Sequence, residues 1–224
     1  MPPFAAIFDL DGTLIDTAPD LARATNHVLA SEGRRHVSIA EIRPFVGRGA
    51  RRMIERGFAA TGAPVEPHRM ESHYHAFIAY YSENIAVDSR PFPGTLELLD
   101  RLEEAGVKLG ICTNKQERLS LRLLDRLGLT QRFGAIIGAD TIGISKPDPA
   151  PYREAVTRLG ATGGGSVMIG DSETDILTAR AAGVPVIAVT FGYTDRHVKE
   201  FAPDHVVDHM DHVWPAIASY LPKP

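Results

Sequence analysis

Two aspartates one residue apart follow the first apolar run of the chain. Asp9 and Asp11 come directly after residues 4–8, and Gly12 supplies a turn beyond them. Alternate side chains of a strand share a face, so two carboxylates at this spacing would repel each other within one strand. We therefore expect the strand to end at Asp9, with a cation between the two acids. This predicts a divalent-metal site at the mouth of an α/β sheet, and the alternative is an ordinary acidic turn after a core strand.

Polar residues also follow three later apolar runs of the chain. The residues that stand at or shortly after these strand ends are Thr113, Asn114, Lys146, Asp171 and Asp175. In an open parallel sheet, ligands bind beyond the carboxyl ends of the strands, where the connections diverge. We therefore expect these side chains to lie close to Asp9 and Asp11, although they are distant in the chain.

The residue types in this set indicate phosphoryl transfer. Asp9, Asp11 and Asp171 offer the hard oxygen ligands that Mg²⁺ prefers, and no cysteine–histidine set with zinc spacing accompanies them. The predicted donors for an anion with several oxygens, such as a phosphate, are Thr113, Asn114 and Lys146. Transfer of a phosphoryl group needs such a charge clamp together with a nucleophile.

The two N-terminal aspartates have different predicted roles. Asp9 ends the rigid strand, so we assign it the role of a nucleophile that forms an aspartyl-phosphate. Asp11, displaced by the turn, would protonate the leaving oxygen and later take a proton from water. Mg²⁺ and Lys146 would neutralise the phosphate, because a carboxylate cannot otherwise approach an anion.

The apolar spacing predicts the elements that position these residues. Between residues 16 and 88 only helical patterns occur, among them a capping box that opens at Ser38. From residue 89 onward strands alternate with helices, which is typical of parallel βαβ units. We therefore predict an α/β fold with a doubly wound, mostly parallel, Rossmann-like sheet. The catalytic core would comprise residues 1–15 and 89–224, and residues 16–88 would form an inserted all-helical cap domain.

The chemistry-bearing segments resemble the four motifs of the haloacid dehalogenase-superfamily phosphatases, in order and over essentially the whole chain. The matching segments are Asp9-Leu-Asp11-Gly-Thr13, Thr113-Asn114, Lys146-Pro147 and Gly170-Asp171-Ser-Glu-Thr-Asp175. The resemblance implies that Asp9 is the nucleophile and Asp11 the acid and base. It also implies a metal held by the Asp9 side chain, the Asp11 backbone carbonyl and Asp171. Asp175 would support these ligands or act as an additional acid, and the helical insertion resembles the small helical cap of the family.

Within this superfamily, residues 46–50, 170–175 and 191–193 look most like the corresponding segments of phosphoglycolate phosphatases. The resemblance implies Mg²⁺-dependent hydrolysis of a small phosphate monoester, 2-phosphoglycolate, through an aspartyl-phosphate. The alternatives are a phosphomutase of the β-phosphoglucomutase type, a pyrophosphatase and a broad nucleotide phosphatase. A non-catalytic binding module is a more distant alternative, because each role in phosphoryl transfer is filled.

Four residues of the predicted cap are candidates for a role in binding: Arg48, His68, His73 and His75. Arg48, between two glycines, is the one we expect to contact substrate, because its guanidinium can grip a carboxylate; an ordinary surface arginine is the alternative. The histidines at 68, 73 and 75 are close enough in the chain to be considered as metal ligands. Because His73 and His75 cannot share a helix face, we expect this group on a solvated surface instead.

The composition restricts the class of protein further. A net charge of -4 without a basic cluster argues against nucleic acid as a partner, and no apolar run approaches the about 20 residues of a membrane span. The single cysteine, Cys112, excludes an internal disulfide and fits a reducing compartment. The N-terminal apolar run is too short for a signal peptide. We therefore expect a cytoplasmic protein that acts on a small phosphorylated metabolite. The sequence does not distinguish a monomer from a dimer.

Overall fold

A computed structural model describes residues 2–47, 49–194 and 196–221 of the chain. Its strands, in chain order, are β1 (Ala5–Phe8), β2 (Ile15–Asp16), β3 (Arg90–Pro91), β4 (Lys108–Cys112), β5 (Ala135–Ile137), β6 (Ser166–Gly170), β7 (Val186–Val189) and β8 (His205–Val207). Its α-helices are α1 (Ala18–Ser31), α2 (Ile39–Ile42), α3 (Ala50–Thr61), α4 (Met70–Glu83), α5 (Thr95–Glu104), α6 (Glu117–Arg126), α7 (Ala150–Arg158), α8 (Glu173–Ala182) and α9 (Val213–Ala218). Within the described ranges, no helix has both the length and the apolar character that a membrane-spanning segment requires.

Six strands form one parallel sheet in the order β5-β4-β1-β6-β7-β8. Side chains of β1 alternate between two hydrophobic clusters: Ala6 and Phe8 belong to one, Ala5 and Ile7 to the other. A strand covered on both faces reads as a continuous apolar run, which is the pattern seen in the sequence. Because β1 lies between β4 and β6, the carboxyl ends of these three strands lie side by side. The predicted α/β fold with a mostly parallel sheet and a helical insertion is confirmed.

Helices α1–α4 form the helical insert between β1 and β4, and they pack mainly on one another. The predicted capping box is present at the start of α2. Oγ of Ser38 accepts a 3.2 Å hydrogen bond from the Glu41 N–H, and Oε2 of Glu41 accepts a 2.8 Å bond from the Ser38 N–H. Fully buried or nearly fully buried apolar side chains of the insert include Val28, Leu29, Ile54, Phe58 and Phe77.

The expectation of a solvated surface for the histidine group is wrong for His73. This residue is 5% exposed, and its ring lies 5.0 Å from the Phe58 ring, centroid to centroid. His73 and Phe77 are four residues apart in α4 and so share the helix face that packs inward. His68 and His75 have exposed side chains, as expected.

A two-stranded antiparallel ladder joins the ends of the helical insert. Ile15 of β2 pairs with Pro91 of β3, and Asp16 pairs with Arg90. The sequence pattern predicts no strand here, because two residues are too few to show a period. The predicted cap limits, residues 16 and 88, lie beside this ladder and remain a prediction.

Candidate active site

Asp9 is the residue that follows β1, and it is 5% exposed. Its Oδ1 lies 3.0 Å from Nζ of Lys146, but this pair lacks hydrogen-bond geometry, and Oδ1 has no hydrogen-bond partner among the described residues. Burial raises the pKa of Asp9 to about 6, although the charge of Lys146 acts to lower it. At neutral pH the Asp9 side chain is therefore an ionised carboxylate with one oxygen that accepts no hydrogen bond.

Lys146 is a buried cation, with a side chain only 2% exposed. Burial acts to lower its pKa, but the charges of Asp175 and Asp9 outweigh that effect and raise the pKa above its usual value. The Asn114 amide fixes its backbone: Nδ2 donates to the Lys146 carbonyl at 3.1 Å, and Oδ1 accepts from the Lys146 N–H at 2.9 Å. Asn114 thus holds the Lys146 loop against the end of β4. Its predicted contact with phosphate stays a prediction.

Asp171 follows β6, and both of its carboxylate oxygens accept hydrogen bonds. Oδ1 accepts from the Thr13 hydroxyl at 3.0 Å, and Oδ2 accepts from the Tyr193 N–H at 2.7 Å. Burial raises the pKa of Asp171 to about 8, and the charges of Asp175 and Asp9 act in the same direction. A Cβ atom at Gly12, where φ is +88°, would lie 2.6 Å from Oδ2, so only glycine lets this turn approach the acid so closely.

Asp175 lies in the first turn of α8 and is fully buried. Its Oδ1 accepts a 2.5 Å hydrogen bond from Nζ of Lys146. Its Oδ2 accepts from the Ser172 N–H at 3.1 Å and from the Ser172 hydroxyl at 2.7 Å, which completes a capping box. Asp175 therefore holds Lys146 and the start of α8 together. This arrangement agrees with its predicted supporting role, which stays a prediction.

Asp9, Asp171 and Asp175 form a buried acidic cluster in which one ligand oxygen from each lies within 4.8 Å of the others. Lys146 is the cation that contacts this cluster, so the carboxylates outnumber it. Buried negative charges that are not balanced are costly, and a bound cation would offset the cost. The donors are all hard carboxylate oxygens, one of which, Asp9 Oδ1, has no hydrogen-bond donor. The residues present therefore fit a divalent metal ion.

Asp11 forms a salt bridge with Lys115, a residue that the sequence analysis did not identify. Lys115 Nζ donates to both carboxylate oxygens of Asp11, at 2.9 and 3.0 Å, and to the Tyr81 hydroxyl of α4 at 2.8 Å. The Thr17 hydroxyl also donates to Oδ1 of Asp11, at 2.8 Å. Lys115 stands three residues beyond the end of β4 and two beyond Thr113, whose hydroxyl accepts from the Lys115 N–H at 3.2 Å. The strand-end argument that selected Thr113 therefore applied to Lys115 too.

Tyr193, in the loop after β7, was identified only as part of a resembling segment. Its N–H holds Asp171, whereas its hydroxyl donates to Oδ1 of Asp16 and accepts from the Ala18 N–H at 3.1 Å. One residue thus contacts both the acidic cluster and the start of the helical insert.

Two cavities meet at Asp11, Gly47 and Asn114. The first, of about 220 Å³, is lined by the acidic cluster residues Asp9 and Asp171 and is called the acidic cavity here. The second, of about 360 Å³, lies between the sheet domain and the helical insert and is called the apolar cavity. Side chains that line the apolar cavity include Leu21, Met53, Phe77, Ile78, Leu119 and Lys115. Arg48, predicted to contact substrate, lies outside the described residues, but its neighbours Gly47 and Gly49 line the apolar cavity.

A parallel sheet whose strand ends bring a lysine beside an acidic cluster that could hold a metal ion is typical of hydrolases built on a Rossmann-like core. The sequence pattern of haloacid dehalogenase-like hydrolases matches residues 6–189, and the chain belongs to this family. Curated phosphoglycolate phosphatases are similar over nearly their whole length. The enzyme of Mesorhizobium japonicum is 48% identical, and the match covers 96% of this chain and 95% of the relative. The enzyme of Agrobacterium fabrum is 44% identical, and the match covers 96% of this chain and 93% of the relative.

Solved structures agree with this family membership. A predicted phosphoglycolate phosphatase from Haemophilus somnus superposes with a TM-score of 0.88 at 27% identity, covering 95% of this chain and 97% of its own. Membership in the family implies a divalent metal, and the acidic cluster of Asp9, Asp171 and Asp175 could hold one.

Proposed function

We propose that this chain hydrolyses 2-phosphoglycolate to glycolate and inorganic phosphate, with Mg²⁺ as its metal. The two relatives that are 44% and 48% identical to this chain are named as phosphoglycolate phosphatases, which supports this substrate. The observation that carries the chemistry is the buried Asp9 carboxylate, whose Oδ1 has no hydrogen-bond partner in the described chain and lies 3.0 Å from the Lys146 ammonium. A nucleophilic carboxylate needs such a cation if it is to approach a phosphate anion.

The first step forms an aspartyl-phosphate on Asp9. An Asp9 oxygen bonds to phosphorus while the bond between phosphorus and the ester oxygen of the substrate breaks. Lys146 lies beside Asp9 and offsets negative charge on the phosphoryl oxygens. Thr113 and Asn114 follow β4 at the same edge of the sheet, and we assign them to the placement of those oxygens.

Asp11 is the proposed acid and base. It gives a proton to the ester oxygen, so that glycolate leaves with a neutral hydroxyl, and later takes a proton from the attacking water. The second step breaks the bond between phosphorus and Asp9, restores the carboxylate and releases phosphate. Thr17 and Lys115 hold the Asp11 carboxylate in a fixed orientation through this cycle.

The metal ligands we propose are the Asp9 side chain, the Asp11 backbone carbonyl and Asp171, with Asp175 supporting them. When bound, Mg²⁺ neutralises charge on the transferring phosphoryl group. Thr13 and the Tyr193 N–H keep Asp171 oriented, so its side chain does not have to be ordered when the metal binds.

The helical insert is proposed to act as a cap over both cavities, from residue 16 to residue 88. Arg48 belongs to this cap, and we propose that it contacts the substrate. Its neighbours Gly47 and Gly49 have φ of 82° and 85°, values that glycine adopts without strain.

The test is a comparison of kcat/KM, with Mg²⁺, among 2-phosphoglycolate, sugar phosphates, nucleotides and pyrophosphate. We expect 2-phosphoglycolate to give the highest value. A higher value with pyrophosphate or a nucleotide would contradict the proposed substrate. Incubation with β-glucose 1-phosphate and a bisphosphate activator tests the mutase alternative, since isomerisation without phosphate release would favour it. Absence of turnover across the whole panel would favour the binding module.

A further inference from the structure

We infer that Lys115 binds the carboxylate of the substrate and thereby selects phosphate monoesters that carry a carboxylate next to the ester linkage. This inference rests on the proposed function, and it concerns a residue outside the four motifs. Lys115 would be a specificity-determining residue. Its ammonium has three N–H donors, and the substrate carboxylate would take the one that now bonds the Tyr81 hydroxyl, while the two bonds to Asp11 remain.

The first observation is the burial of the Lys115 ammonium in the wall of the apolar cavity. Its side chain is 5% exposed and donates to Asp11 and Tyr81. Much of the remaining wall is formed by hydrophobic side chains, including Leu21, Phe77 and Leu119. An ammonium group in such surroundings interacts strongly with an anion, because little water is present to screen the charge.

The second observation is the position of Lys115 relative to the proposed acid. Nζ of Lys115 lies 2.9 and 3.0 Å from the two carboxylate oxygens of Asp11. In 2-phosphoglycolate a single CH₂ group separates the ester oxygen from the carboxylate. The group that binds this carboxylate must therefore lie close to the group that protonates the ester oxygen. Lys115 meets this condition in the structure.

The third observation concerns the other basic residue that lines the apolar cavity in the described part of the chain. Arg51 is the alternative, but its side chain is 50% exposed and its guanidinium already donates to Oε2 of Glu71 at 2.6 Å. It also lies 4.4 Å from the centre of the Tyr74 ring. Both cations have an acid partner, so exposure is what separates them: water screens the charge of the half-exposed Arg51 more than that of the buried Lys115.

The test compares two substrates of equal length on the unaltered protein and on variants at Lys115, Tyr81 and Arg48. The substrates are 2-phosphoglycolate and 2-hydroxyethyl phosphate, in which CH₂OH replaces the carboxylate. The quantity measured is the kcat/KM for 2-phosphoglycolate divided by the kcat/KM for 2-hydroxyethyl phosphate. We expect Lys115→Met to lower this ratio by about 100-fold. Lys115→Arg, which keeps the charge, should retain most of the ratio. Tyr81→Phe is the matched control, because it removes a partner of Lys115 without changing its charge, and its ratio should stay near that of the unaltered protein.

A binding measurement separates recognition of the carboxylate from effects on Asp11. Titration calorimetry with 3-phosphonopropionate, a non-hydrolysable isostere of 2-phosphoglycolate, should show affinity at least about 30-fold weaker for Lys115→Met. Its counterpart 3-hydroxypropylphosphonate, in which CH₂OH replaces the carboxylate, should bind both proteins with similar affinity. Circular dichroism confirms that each variant is folded.

Three outcomes would overturn the inference. An equal loss for both substrates and both phosphonates would show that Lys115 acts only by orienting Asp11. An unchanged ratio in Lys115→Met would show that it does not contact the carboxylate. A ratio that falls in Arg48→Ala and not in Lys115→Met would assign the carboxylate to Arg48. If the unaltered protein hydrolyses other phosphates but not 2-phosphoglycolate, the proposed function fails as well, which is a separate result.

Discussion

Nζ of Lys146 lies 2.5 Å from Oδ1 of Asp175, closer than its 3.0 Å distance from Oδ1 of Asp9. Asp175 accepts a hydrogen bond from this lysine, whereas the contact with Asp9 lacks hydrogen-bond geometry. Because Asp175 also caps α8, the lysine is anchored to a helix rather than to the proposed nucleophile. Asp9 is therefore close to a positive charge without being tied to it by a hydrogen bond.

Asp9→Asn should abolish phosphate release and leave the fold intact. An amide of the same shape fits the site but cannot form the aspartyl-phosphate, so we expect kcat/KM to fall by at least about 10³-fold. Phosphate release and circular dichroism are the measurements. Asp125→Asn, an exposed acid of α6 that lines neither cavity, is the control and should retain full activity. Undiminished turnover in Asp9→Asn would refute the mechanism.

Lys146→Met should destabilise the metal-free protein, because it leaves Asp9 and Asp175 buried without their cation. We expect the free energy of unfolding in urea to fall by about 3 kcal/mol. The double variant Lys146→Met/Asp175→Asn should recover part of that loss, since it removes one uncompensated charge, while hydrolysis stays low. A double variant less stable than Lys146→Met alone would show that the pair does not act through charge.

The metal-free protein should lose stability as the pH rises towards 8. Burial raises the pKa of Asp171 from 3.8 to about 8 in the folded state. Between these values the folded protein keeps a proton that the unfolded chain has released, so unfolding becomes more favourable as the pH increases. The interval from pH 6 to 8 is the most informative, because the pKa of Asp9 is already about 6.

Mg²⁺ should suppress this pH dependence, because it requires the ionised carboxylates. The difference in Tm between Mg²⁺-loaded and EDTA-treated protein should therefore grow between pH 6 and 8. Asp171→Asn lacks the titrating group, and its Tm in EDTA should vary less with pH over this interval. Equal slopes for the variant and the unaltered protein would assign the titration to another group.

Tyr193→Phe should weaken the link between the Asp171 loop and the helical insert. The substitution removes the hydroxyl that bonds Asp16 and the Ala18 N–H, and keeps the backbone N–H that holds Asp171. We expect a loss of about 1–3 kcal/mol in the free energy of unfolding, because Ala18 loses a buried acceptor. Mg²⁺ affinity, measured by calorimetry, should change little. A large loss of Mg²⁺ affinity would mean that the hydroxyl, and not the N–H, keeps Asp171 in place.

The sequence was sufficient to predict the sheet and the convergence of its strand ends. Asp9, Lys146 and Asp171 come together in the structure because each follows a strand of one parallel sheet, and apolar runs mark such strands clearly. The same rule did not lead to Lys115, because a lysine at the start of a helix usually lies in water. Only the packing of Tyr81 and Asp11 around it shows that it is buried.

Other features depend on tertiary contacts that leave no local pattern. Tyr193 lies in a loop, where no period marks the residues that fold back to the site. The burial of His73 depends on how α4 is rotated against α3, and a single histidine carries little information about rotation. Asp175 likewise accepts hydrogen bonds from both Lys146 and Ser172, and no sequence pattern indicates that the two share this acid.

The ladder between β2 and β3 bears on how this architecture can diversify. Ile15 and Pro91 are ladder partners, so the two ends of the helical insert lie about 5 Å apart. Because the ladder holds these two ends together, an insert of a different length could begin and end at the same place on the core. Under the proposed function, recognition of the leaving group could change with the insert while Asp9, Lys146 and Asp171 stay at the strand ends. A new insert would still have to supply a donor to Asp11, as Thr17 does here.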